Sequence, residues 1–280
     1  MELELKKECL DTYELGEPQT LTQEETAETI VPDYCPDIAR IISAEGVVCL
    51  HGGTEQDGVT GTVRVTVLYT PENESGVRAL EFAMPFSAQG EGLAGCAHVV
   101  VETEIELLES RMLNPRKIFT RCKLVTHLAG CRKVCLTISS DAETDPALLV
   151  EKRCCGQTVS LLRQVAEKDL TFSETMSLSL GREGAAELLH CRANGIVTET
   201  KAIGNKLIFK GVFLVSALYR TIGGQLASAS AELPFSQIME TDSTEENTQV
   251  SMRLRITGTD IQIDGSDDEG RQLSVTVYYH

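Results

Sequence analysis

GTVRVTVLY at residues 61–69 returns as GVFLVSALY at 211–219, an offset of 150. EFAMPFSA (81–88) returns as SAELPFSQ (230–237), and VVETEIEL (100–107) as QVSMRLRI (249–256), both at 149. Nearer the start, LELKKEC (3–9) lines up with LLVEKRC (149–155), and Glu28-Thr29 with Glu174-Thr175, at 146. Blocks that recur in one order are the mark of a duplication, and a duplicated chain folds as similar units. The units read as 1–146 and 147–280. The growth in offset places a short insertion in the second copy, opposite residues 30–46.

Within the repeated blocks, Val63, Val65, Val67 and Tyr69 alternate with Thr62, Arg64 and Thr66. That two-residue period belongs to a strand with one buried face. Phe213, Val215, Ala217 and Tyr219 repeat it. KLIFKGVFLV, HVVVETEIEL, KIFTRCKLVTHL and RQLSVTVYY are likewise rich in β-branched and aromatic residues. Turn clusters such as TPENESG and RTIGG separate them. The pattern predicts a mainly β protein, two tandem similar sandwich-like units, with short helices at 36–43, 145–152 and 183–192. Pro85 and Pro234 fall where matching ladders end or meet an edge. VCLTISSDAETDPA (134–147) runs from a β-like stretch into an acidic turn, as a unit boundary does.

A net charge of −17 speaks against a nucleic-acid or anionic-membrane partner, because phosphates attract clustered Lys and Arg. The N-terminus alternates charge with leucine, and no run approaches a membrane span, so the expected place of synthesis is a cytoplasm. There the ten cysteines are expected as thiols, with crosslinking between molecules as a later step. Cys122-x4-His127-x3-Cys131-x3-Cys135 lacks the paired spacing of a structural zinc site. Cys122 and His127 would also face opposite sides of a strand. No Gly-rich phosphate loop, GxSxG elbow or HExxH is present. Cys191 beside His190 has no counterpart in the first unit, and the DGSDDEG loop (264–270) lacks the ligand order of a calcium loop. No catalytic, cofactor-binding or metal residue is assigned, no cofactor is expected, and the chain is expected not to be an enzyme.

ETIVPDYCPDIARII (28–42) holds the one pair of candidate carboxylates, Asp33 and Asp37. Proline fixes its own φ and keeps the residue before it extended, so Val31 and Cys35 are extended and a helix starts only after Pro36. Asp37 then sits in the first helical turn and Asp33 in a turn, where each serves as folding punctuation. The second unit has SLSLGREGAAELLH here, without either Asp.

The stretch Ile30-Val31-Pro32-Asp33-Tyr34-Cys35-Pro36-Asp37-Ile38, with the MELELKKE opening and the TVRVTVLYT strand, resembles the SPOCS domain. That domain occurs in tandem in spore-coat assembly proteins of endospore-forming, mostly anaerobic bacteria. The first unit resembles it throughout; the second is included through the repeat. The resemblance implies a non-enzymatic scaffold of the spore coat or spore surface, made in the mother-cell cytoplasm and working through contacts with other coat morphogenetic proteins. SipL-like members add a LysM module that recruits an ATP-hydrolysing coat protein. No LysM-like segment is read here, so that partner is not carried over. A homo-oligomer or filament built head to tail through strand edges is the sharper form of this expectation. The alternative is a glycan- or peptidoglycan-binding module, which the scarcity of aromatics (5%, no Trp) weakens.

Overall fold

The computed structural model describes residues 4–51, 58–143, 151, 153, 156, 158–178, 183–241, 248–264 and 270–280. Among them there are thirteen strands and no helix.

The first seven strands are β1 (Glu4–Leu15), β2 (Gln19–Ile30), β3 (Ile38–Leu50), β4 (Gly58–Pro71), β5 (Arg78–Gln89), β6 (His98–Asn114) and β7 (Lys117–Glu143). One antiparallel sheet has the order β3-β4-β5. The other has β7 at its centre, β6 on one side, and β2 then β1 along the other. The alternation of β4 turns Val63, Val65, Val67 and Tyr69 inward, where none is more than 1% exposed. The facing sheet meets them with Ile118, Cys122 and Leu124.

The remaining strands are β8 (Leu170–Ser177), β9 (Ala185–Ile203), β10 (Lys206–Thr221), β11 (Leu226–Glu240), β12 (Ile256–Ile263) and β13 (Gln272–Tyr279). Their sheets are β9-β10-β11 and β8-β13-β12, the strand orders of the first set again. Phe213, Val215, Tyr219, Phe235, Val275 and Val277 fill the space between, with the Phe213 and Phe235 rings stacked at 4.3 Å. Each sheet draws all its strands from one half of the chain, so residues 4–143 and 170–279 are called the first and second units below.

The likeness extends to packing. Gly61 faces Phe86 in one ladder and Gly211 faces Phe235 in the other. A Cβ on Gly61 would press into the Phe86 ring, and one on Gly211 would lie 2.6 Å from that of Phe235. In both units an aromatic ring lies over a glycine, which covers the gap that a missing side chain leaves in a sheet.

Two expected helices are strands instead. Residues 38–43 open β3, and 185–192 open β9. The β3–β4 ladder slips between Ile38 and Arg40 and again between Ile41 and Ser43, so the inward residues Ile38, Ile41 and Ala44 stand three apart. In β9 the same device spaces Ala185, Leu188 and Cys191. Each bulge adds a residue to the period of two, and a spacing of three mimics one face of a helix. Asp37 therefore precedes a strand, not a helical turn. The third expected helix, 145–152, lies outside the described residues except for Glu151, as does the boundary near 146.

The insertion is also relocated. Val48 faces Val63 and Gly195 faces Phe213, so the offset is still 147 in the third strand and becomes 150 in the fourth. The extra residues of the second copy lengthen the β9–β10 hairpin, which closes tightly between Ile203 and Lys206.

The units differ in one large respect. β7 runs for 27 residues against 8 in β13, and its far half pairs with β1 as a two-stranded arm. A disulfide between Cys9 and Cys135, with Cα atoms 5.7 Å apart, ties that arm together. Two cysteines expected as thiols are thus bonded within one chain.

Candidate functional site

The Pro-Asp stretch joins β2 to β3. The Cys35 N–H donates to the Pro32 carbonyl at 2.9 Å and closes a turn through Asp33. Arg116, in the tight β6–β7 hairpin, reaches into this turn. Its guanidinium donates to the carbonyls of Val31 and Cys35, both at 2.8 Å, and to Asp37 (3.0 Å) and Asp33 (3.1 Å). The backbone adds Val31 N–H to the Arg116 carbonyl and Ile38 N–H to that of Pro115, each at 2.9 Å. Tyr69, fully buried on β4, donates its hydroxyl to the Pro36 carbonyl at 3.3 Å. A planar fork with five donors suits such a ring of acceptors, which a single ammonium could not span.

Both carboxylates are thus ligands of one arginine in a clip that fastens the β2–β3 crossover to the β6–β7 hairpin. Sequence reasoning missed Arg116, which lies 79 residues from Asp37. The one available signal was comparative. The second unit has an acidic GSDDEG between β12 and β13 where the first has NPRK, so it lost the arginine together with both aspartates. The consequence shows in the core: Tyr219, the counterpart of Tyr69, has a buried hydroxyl with no partner among the described residues.

The other candidates are dispersed. Cys122 points into the first core, where burial pushes its thiol up to about 11. His127, on the opposite face of β7, shares a hydrogen bond with Thr20 Oγ1 at 3.0 Å. Cys131 is buried and Cys135 is bonded to Cys9. Cys191 packs against the second core and donates to the Thr259 carbonyl at 3.3 Å; burial, with Glu81 and Asp260 adding to it, raises its thiol to about 11. Its neighbour His190 turns away, to Glu45 of the first unit at 3.1 Å. Most of the acidic loop, 265–269, lies outside the described residues.

His190 belongs to a seam between the units. Cys49 on β3 donates to the Thr257 carbonyl at 2.7 Å. Arg253 pairs with Glu102, Arg255 donates to the Val101 carbonyl at 3.4 Å, and Arg78 approaches Glu187 at 3.9 Å. The flank made by β9 and the β12 stretch therefore lies across the outer face of the β3-β4-β5 sheet. These groups hold strands and units together. Among the described residues, no three His, Cys, Asp or Glu side chains gather in a metal-holding group. No helix there is long and apolar enough to cross a membrane.

Comparison with known proteins gives one match. Residues 185–264 fit the family model of the SipL SPOCS domain. No curated protein and no solved structure matches. The matched segment runs from the start of β9 to just past β12, in the unit without the Pro-Asp stretch, whereas the sequence reading rested mainly on the first unit. A bulged β9, a glycine under an aromatic ring in β10–β11 and the same strand order link that segment to the first unit. Residues 185–264 of this chain are thus similar to the SPOCS domain of the SipL family.

Proposed function

We propose that this protein is a non-enzymatic structural component of the bacterial spore coat or spore surface, working through protein–protein contacts with coat morphogenetic proteins. The SPOCS-domain match over residues 185–264 carries this reading, because that family is one of sporulation. The side chains support it. Polar and thiol groups that could have formed a reactive site are spent on a clip, a disulfide and a seam. In this reading the chain acts through contacts of its surfaces, and self-assembly is the sharper form of it.

A fluorescent fusion expressed from the native locus tests it. The signal is expected only in sporulating cells, first in the mother cell and then as a shell around the forespore, and later in the coat fraction of purified spores. Uniform expression in vegetative cells, with no enrichment on spores, would defeat the reading.

A further inference from the structure

The far half of β7 is paired on one side only. β6 runs beside it as far as His98 opposite Cys131, and from Arg132 onward the only strand against it among the described residues is β1. The outer edge of β1 is crossed by the chain itself: the Tyr13 N–H donates to the Leu162 carbonyl at 2.8 Å, and Thr12 Oγ1 donates to it at 3.0 Å. The arm therefore presents one open strand edge, residues 132–142 of β7. Such an edge is a template for another strand unless proline, charge or a covering loop blocks it. This stretch has no proline, and its middle, VCLTIS (134–139), has no charge. The arm's one bulge, at Ser140, comes near its end.

The side chains say which strand fits. Counted outward from Thr137, Leu136 and Ile138 stand one residue away on either side, and Lys133 and Asp141 four residues away. Two antiparallel copies of this strand, related by a twofold axis at Thr137, set each residue against its opposite number. Leu136 of each copy then faces Ile138 of the other, and Lys133 comes opposite Asp141. Apolar meets apolar and cation meets anion twice over, and cross-strand pairs of both kinds stabilise a sheet. A slip of one residue loses the match, because it sets Val134 against Asp141 and Leu136 against Ser139.

Exposure and length agree with this pairing. Leu136 is 42% exposed and Ile138 38%, and Leu10 of β1 faces Leu136. Joined arms turn these side chains into one apolar strip across four strands. In the same register Ala142 of the incoming strand falls opposite Arg132, the first residue past the end of β6, so the strand continues the line of β6. The Cys9–Cys135 bond holds the arm in shape before a partner arrives, which lowers the cost of ordering it.

We propose that residues 132–142 of β7 pair edge to edge with the same residues of a second copy, giving a four-stranded β1-β7-β7-β1 sheet about a twofold axis at Thr137. The contact is isologous, so it closes at two copies, whereas a head-to-tail filament needs two different surfaces. This inference rests on the structural-protein reading above and names a partner for it.

Sedimentation velocity over a dilution series is the test, with accessible thiols blocked by iodoacetamide so that Cys9–Cys135 stays intact and no crosslinks form between chains. A species of twice the 30.5 kDa chain is expected, and nothing larger. Leu136→Lys and Ile138→Lys are each expected to weaken the dimer about tenfold or more, since the axis puts two of each new charge at the centre of the contact. Both positions are exposed, and an unchanged thermal melt checks that the variants fold. Hydrogen exchange reads the same edge independently: amides within 132–142 should exchange more slowly at high protein concentration than at low, while those of β5 and β11 should not change. A chain that stays monomeric at every concentration, growth beyond two copies, or a dimer untouched by both lysines would overturn the inference. None of these results alters where the fluorescent fusion localises, so failure of this contact and failure of the coat assignment are separable.

Discussion

Arg116 makes four of the hydrogen bonds that hold the Pro-Asp loop, two to carbonyls and two to carboxylates. Asp33 is fully exposed, so its ion pair is screened by water, and the carbonyl bonds carry most of the effect. Arg116→Ala is expected to lower folding stability by about 2 kcal/mol in denaturant titration, and Arg116→Lys to recover little of it. Asp33→Ala should stay within about 0.5 kcal/mol of the unaltered chain. The aspartates were legible in the sequence because proline brackets them; their partner was not, because a contact across two sheets leaves no local pattern. The tyrosines make a matched pair of tests. Tyr69→Phe orphans the Pro36 carbonyl and should cost about 1 kcal/mol, whereas Tyr219→Phe removes an unpartnered buried hydroxyl and should be neutral or stabilising. Buried thiols add a pH dependence. Cys122 and Cys191 are raised from 9.0 to about 11, so unfolded chains release these protons first. Stability is whole below pH 9 and is lost as the pH climbs from 9 to 11. Denaturation midpoints at pH 8 and pH 10.5 should differ less once Cys122 is replaced by Ala.

Strands with a strict period of two were plain in the sequence. β4 and β10 alternate cleanly because their ladders with β5 and β11 have no slip. β3 and β9 were not, because their bulges place inward residues three apart and a single sequence cannot separate that spacing from a helical face. The match between the two bulged strands came only with the ladders. It also explains why 36–43 and 183–192 both read as helix: the same device was duplicated. Glycines under aromatic rings were duplicated with it. A Cβ at Gly61 would stand 2.8 Å from the Cys49 carbonyl as well as against Phe86, so neither the backbone nor the ring can yield easily. Gly61→Ala and Gly211→Ala should each cost about 2 kcal/mol, the range of an overpacked core. Among the described residues the β1–β7 arm has no counterpart in the second unit, and Cys9–Cys135 closes a loop of sequence separation 126. Hydrogen exchange on Cys9→Ser is expected to quicken over residues 4–15 and 132–143 while the β4 and β10 amides keep their protection. Equal loss across both sandwiches would mean that the bond supports the whole fold.

Two sandwiches with separate cores can still behave as one body if the seam between them is strong enough. Here the seam is mostly polar: a thiol on a carbonyl, a histidine on a glutamate and arginines on glutamates. Exposed pairs of this kind contribute little each and weaken with salt. Charge works against them in addition, since residues 1–146 hold 25 acidic and 12 basic side chains and account for −13 of the −17. Against that background Leu189, on β9 between the seam residues Glu187 and His190, is buried without belonging to the second unit's core, and burying such a side chain is worth about 2 kcal/mol. Leu189→Ser should therefore uncouple the units and leave both folded. In calorimetry a single transition is expected to split in two, the more so at high salt, and small-angle scattering should show a larger radius of gyration below the first transition. A core residue of the same size gives a contrast: Leu233→Ser should lower the transition of the second unit without separating the units. One intact but lowered transition in Leu189→Ser would place that side chain in the second core and leave the seam to its polar pairs alone.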